Sequence, residues 1–122
     1  VFMGTPDYAD VILKRLLQED GMHVSSVYTQ PDKPVGRKKV MTPPPVKVTA
    51  KAAGIVCYQP HMLKDVAVRE RLEKEKPDFI IVAAYGQLLP KSILDIAPCI
   101  NLHASLLPKY RGASPVQQAL LN

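Results

Sequence analysis

The feature that most restricts the fold of this chain is the unbroken apolar run Phe79-Ile80-Ile81-Val82-Ala83-Ala84. A strand with one face in water alternates apolar and polar residues, so a continuous run of strand length predicts a strand covered on both faces, at the centre of a parallel sheet. Parallel neighbours cannot be joined by a tight turn. Each connection must cross over, usually as a helix. The remainder of the chain is therefore expected to alternate strands with helices.

Val1-Phe2-Met3 reads as the last part of a strand and Gly4-Thr5-Pro6-Asp7 as the turn after it. Ile12, Leu13, Leu16 and Leu17 recur at helical spacing between Ala9 and Asp20, Gly21 stops the helix, and His23 to Thr29 reads as the second strand. After Pro43-Pro44-Pro45 comes a short helix carrying Val46, Ala50 and Ala53, ended by Gly54 and followed by a brief strand, Ile55 to Tyr58. Asp65 is placed to cap a third helix in which Val68 and Leu72 share a face, and which stops before Pro77. Beyond the apolar run, Pro90 suits the first turn of a helix bearing Ile93, Leu94 and Ile96. Cys99 to His103 forms a fifth strand, and Ser114-Pro115-Val116-Gln117 has the form of a capping box. Five strands and five or six helices in alternation predict a doubly wound, mostly parallel α/β sheet.

At 122 residues and 47% hydrophobic, the chain is expected to be one domain or part of one. It has no run of about 18 apolar residues, and its first residues lack a basic stretch leading into an apolar one, so the expectation is a cytoplasmic chain with no membrane partner. Cys57 and Cys99 lie singly in apolar surroundings, which predicts buried free thiols and no metal. His23 and His61 are expected at the surface.

Asn101-Leu102-His103 carries the chemistry. Positions 101 and 103 of a strand face one way. The Asn can donate to a developing oxyanion, while an imidazole with an unperturbed pKa of about 6.5 can move protons both ways. The plainer reading is that Asn101 ends the strand and His103 begins a polar loop.

In doubly wound sheets ligands sit beyond the carboxyl ends of the strands. The two loops expected there are 84–90 and 103–115, in which Gly86 and Gly112 allow close approach to a flat ligand, although either could be an ordinary turn glycine. The first turn lacks Gly-x-Gly-x-x-Gly, and no P-loop is present, so neither a dinucleotide nor a phosphate cofactor is supported. The net charge of +5 is concentrated in the segment holding Lys33, Arg37, Lys38, Lys39 and Lys47 with no acid. That segment is either a solvated loop or a contact for RNA phosphates. Its prolines and Gly36 are expected to keep it from folding alone, leaving it mobile until RNA orders it.

Taken in order and spacing, several motifs resemble the amino-terminal domain of the methionyl-tRNA formyltransferases from end to end. They are Gly4-Thr5-Pro6-Asp7-Tyr8-Ala9, Gln30-Pro31-Asp32-Lys33-Pro34 with Gly36-Arg37, Pro45-Val46-Lys47, Gln59-Pro60, Ala83 to Pro90 and Ile100 to Pro115. The Asn-x-His and Ser-Leu-Leu-Pro elements belong to the wider group that uses 10-formyltetrahydrofolate, including glycinamide ribonucleotide formyltransferase. The Gly-Thr-Pro-Asp opening and the basic insertion are narrower and favour the tRNA enzymes.

The resemblance implies a Rossmann-like formyltransferase fold and transfer of a formyl group from 10-formyltetrahydrofolate to the α-amine of initiator methionyl-tRNA. Asn101 and His103 would be catalytic, Ser105, Leu106, Leu107 and Pro108 would line the folate pocket, and Tyr85, Gly86 and Gln87 would contact the pterin. Lys33, Arg37, Lys38, Lys39 and Lys47 would meet tRNA, with Arg37 foremost. It also implies a monomer without metal or DNA partner. On this reading residues 1–122 are the amino-terminal part of the catalytic domain, truncated on its C-terminal side. The chain would lack the aspartate that orients the histidine and a C-terminal tRNA-binding β-barrel domain, so alone it is expected to be inactive or nearly so. Two other readings stand beside it: a folate-dependent formyltransferase acting on a small amine such as glycinamide ribonucleotide or an amino sugar, and a non-catalytic RNA-binding module.

Overall fold

The computed structural model describes residues 1–102 of the chain. A five-stranded sheet is built from β1 (Phe2–Gly4), β2 (Ser26–Tyr28), β5 (Val56–Tyr58), β6 (Ile80–Ala83) and β7 (Cys99–Leu102). These run in the order β5-β2-β1-β6-β7, with every pair parallel. The chain winds outward from β1 on one side, then returns to the other side of β1 at β6. The sheet is thus doubly wound, with its change of direction between β1 and β6.

Alternation along the strands divides the core in two. Met3, Tyr28, Ile80 and Val82 pack with Val68 and Leu72 of α3 (Val66–Glu75) and Ile93 of α4 (Lys91–Leu94). Phe2, Val27, Ile81 and Ala83 pack with Ala9 and Leu13 of α1 (Asp7–Gln18) and with Val46 and Ala50 of α2 (Pro45–Ala52). Successive residues of β6 therefore serve opposite helical layers, and this is why its sequence has no polar position. Burial of each such aliphatic side chain is worth about 1.5–3 kcal/mol. At Gly4 the layers approach so closely that a Cβ would lie 2.6 Å from the Ala9 Cβ and 2.8 Å from the Ala83 carbonyl oxygen.

The strand run is shorter than its apolar sequence, since Phe79 is 50% exposed and precedes β6. The second strand likewise begins at Ser26 rather than His23, which is exposed. Asp65 caps α3 as expected, accepting from the Ala67 N–H at 3.1 Å, and Lys76 ends the helix in the left-handed conformation. Pro90 stands just before α4, which is a single turn. Cys57 and Cys99 are free and half-buried rather than buried, and burial pushes both thiols up.

The largest departure lies in the basic segment, expected to lack structure of its own. It forms an antiparallel hairpin of β3 (Lys33–Val35) and β4 (Val40–Thr42), in which Val35 pairs with Val40 across Gly36 to Lys39. Gly36 at φ +78° and Lys39 at φ +52° turn the chain. A local ladder satisfies the backbone without a buried core, and both hairpin strands are exposed throughout. Among the described residues no helix is long and apolar enough to cross a membrane. His103 and the expected capping box lie outside the described residues.

Candidate active-site cleft

A cleft of about 430 Å³ opens at the carboxyl ends of β6 and β7, beside the first turn of α1. Its walls are formed by Tyr8, the loop from Ala84 to Leu88, Asn101 and Leu102. Asn101 is half-buried one residue before the end of β7, paired in register with Val82 and on the same strand face as Cys99. Leu102 turns the other way and packs against the α1–α2 layer. Asn101 therefore stands in the wall of the cleft, beside the neighbouring strand's loop.

That loop is held in an unusual backbone path. Ala84 takes φ +49° and Gly86 φ +103°. The left-handed conformation costs a non-glycine residue about 1–2 kcal/mol, so the surroundings must hold Ala84 there. They do so through hydrogen bonds from the turns after β1, β2 and β5. The Thr5 hydroxyl donates to the Tyr85 carbonyl at 2.7 Å, and the Gln30 carboxamide donates to the Gly86 carbonyl at 3.0 Å. Gln87 donates to the Gln30 side-chain oxygen at 2.8 Å and to the Pro60 carbonyl at 3.2 Å, and accepts from the Leu63 N–H at 3.1 Å.

The three loop residues expected to touch a ligand are thus brought together with Asn101, but in different ways. The Tyr85 side chain is in the core, 2% exposed, and burial pushes its phenol well above the ordinary range. Its contribution to the cleft is main-chain. The Gln87 carboxamide is engaged in tying strand ends together. Ala84, Gly86 and the 95% exposed Leu88 are the open elements. Ser105, Leu106, Leu107 and Pro108, like His103, lie outside the described residues.

Of the basic residues, Lys33, Arg37, Lys38 and Lys39 are exposed together on the hairpin. Lys47 is separated from them. Its ammonium, on α2, lies 3.1 and 3.3 Å from the two Asp32 oxygens, closing the hairpin's base. Asp32 also accepts from the Gln59 carboxamide at 2.8 Å, and that amide, followed by Lys47, holds the carboxyl below the usual range. His23 and His61 are exposed and apart from the cleft. Among the described residues no group of three or more His, Cys, Asp or Glu is disposed to hold a metal.

Thr5, Gln30 and Gln59 are present in the motifs that carry the resemblance, but the sequence assigns none of them a role. A usable signal was present: Gln30-Pro31, Gln59-Pro60 and Gln87 each follow a strand at the same end of one sheet.

The family model described as formyl transferase matches residues 1–122. Methionyl-tRNA formyltransferase of a Sulfurovum species is 65% identical over 122 residues, covering 100% of this chain and 40% of that protein. Those of a Nitratiruptor species and of Campylobacter fetus subsp. fetus are 64% and 62% identical, over 100% and 99% of this chain. The chain spans 40% of the length of each of these relatives. With its doubly wound sheet and a match along its whole length, the chain belongs to the formyl transferase family.

Proposed function

We propose that this chain supplies the formyl-donor site of an enzyme that transfers a formyl group from 10-formyltetrahydrofolate to the α-amine of initiator methionyl-tRNA, in the cytoplasm. The reading is carried by Asn101, which stands in the cleft wall beside the constrained loop 84–88. The methionyl amine attacks the formyl carbon, a carbon–nitrogen bond forms, and the formyl oxygen takes up negative charge. Asn101 donates to that oxygen, a contribution of about 3 kcal/mol for a donor of this kind. The bond from carbon to the folate nitrogen then breaks. The departing nitrogen takes a proton and the new amide loses one, a transfer that the family resemblance assigns to His103.

The similarity to methionyl-tRNA formyltransferases and the exposed basic hairpin together support tRNA as the acceptor. Lys33, Arg37, Lys38 and Lys39 would neutralise phosphates, while Lys47 holds the hairpin's base through Asp32. Residues 1–122 would form the amino-terminal part of the catalytic domain of the full-length protein.

In the full-length protein, Asn101→Ala is expected to lower kcat by about 10²–10³-fold with tRNA affinity unchanged. Single-turnover formylation of methionyl-tRNA, run in competition with glycinamide ribonucleotide and an amino sugar, checks both points. Wild-type turnover in Asn101→Ala would remove the oxyanion role, and preference for a small amine would remove tRNA as the acceptor.

A further inference from the structure

We infer that Thr5 and Gln30 are positioning residues, which aim two main-chain N–H groups of the 84–88 loop at the bound folate. The inference rests on the folate reading above. Among the described residues all peptide bonds are trans, and in a trans peptide the carbonyl and the following N–H point in opposite directions. The Thr5 hydroxyl holds the Tyr85 carbonyl at 2.7 Å, and the Gln30 carboxamide holds the Gly86 carbonyl at 3.0 Å. Both donors follow strands on the far side of β6 from β7. The N–H groups of Gly86 and Gln87 are therefore directed away from them, toward the side of the loop where Asn101 and the cleft lie. Neither N–H has a main-chain acceptor among the described residues.

The two donors are themselves joined. The Thr5 hydroxyl accepts from the Gln30 N–H at 3.2 Å, and the Gln30 side-chain oxygen accepts from Gln87 at 2.8 Å. Gln30 thus fixes one peptide plane by donating and the Gln87 side chain by accepting, both from a single carboxamide. The absence of a side chain at position 86 is part of the same device, because a Cβ there would lie 2.8 Å from the Gln30 amide nitrogen.

Gln30→Glu separates positioning from packing. The glutamate keeps the size and the acceptor for Gln87 but cannot donate to the Gly86 carbonyl, so the 86–87 peptide loses the hold that orients it. Thr5→Val removes the other donor with no change in size, and serves as the second variant should Gln30→Glu fail to fold. In the full-length protein, tetrahydrofolate affinity is measured by calorimetry alongside ¹H–¹⁵N shifts of Gly86 and Gln87. The expected result is affinity weakened about tenfold or more in each variant, the loss attached to one or two misdirected hydrogen bonds. The KM for the formyl donor should rise, with kcat and the KM for methionyl-tRNA within about twofold of the parent, and melting temperature should stay near the parent's.

Unchanged tetrahydrofolate affinity in both variants, in a parent whose Gly86 and Gln87 amides shift on binding, would overturn the positioning role and leave the folate reading standing. Equal losses for donor and acceptor would also overturn it, as the mark of general loosening. A parent that binds no tetrahydrofolate would overturn the folate reading, and the positioning role with it.

Discussion

Tyr85 shows how a residue next to a candidate site can serve the fold instead. Its ring is buried among Met3, Tyr28, Leu63 and Leu72, and its hydroxyl is buried with no partner among the described residues. An unsatisfied buried hydroxyl costs about 1–3 kcal/mol, whereas Phe of the same shape would leave nothing unpaired. Tyr85→Phe should therefore raise the stability of the full-length protein by about 1 kcal/mol in urea unfolding, with turnover unaffected. A loss of stability would show that the hydroxyl has a partner. The motif Tyr-Gly-Gln was legible at positions 85–87, but the division of labour within it was not, because core-facing and cleft-facing roles alternate inside one turn.

The basic hairpin owes its shape to what surrounds its two ends. Asp32 at its start and Lys47 beyond its end form an ion pair that is partly exposed, and Gln59 completes the cage around the carboxylate. Because the folded carboxyl is held below its ordinary value of 3.8, the stabilisation is fully present above that value and is lost as pH falls through the lower folded one. The ¹H–¹⁵N shifts of residues 33–42 should accordingly stay constant from neutral pH down to about pH 4 and move together only in stronger acid. A transition of these residues near pH 6 would contradict the clamp. Prolines and a charge run gave no sign of this element. Its cross-strand pairs are few, and its base is closed by residues from two later parts of the chain.

At the scale of the molecule, winding in both directions from β1 brings the turns after β1, β2 and β5 to the same end as the loop after β6. The candidate cleft and the base of the hairpin therefore share one rim of the sheet, linked by Gln59, which donates both to Asp32 and to the Gln30 carbonyl at 3.0 Å. The exposed cations stand off that rim, where they can meet phosphate without disturbing the cleft. In the full-length protein, Arg37→Ala should weaken methionyl-tRNA binding and lower the slope of log K against log salt by about 0.7–0.9 for the contact removed, with tetrahydrofolate affinity unchanged. Filter binding across a salt series checks this, and equal losses for both ligands would count against a separate RNA surface.

The amino-acid sequence by itself determined the order of the five sheet strands and the helices between them, the interior place of β6, the cap at Asp65 and a carboxamide one residue before the end of β7. These follow from periodicity, turn chemistry and burial on both faces, which are properties of neighbouring residues. Tertiary structure decided which polar side chains satisfy one another. Gln30 and Gln87 lie 57 positions apart, and Asp32 chooses Lys47 and Gln59 only because three strand ends converge. A buried or half-buried polar group must find a partner, but which partner depends on distances that exist only after the sheet has assembled.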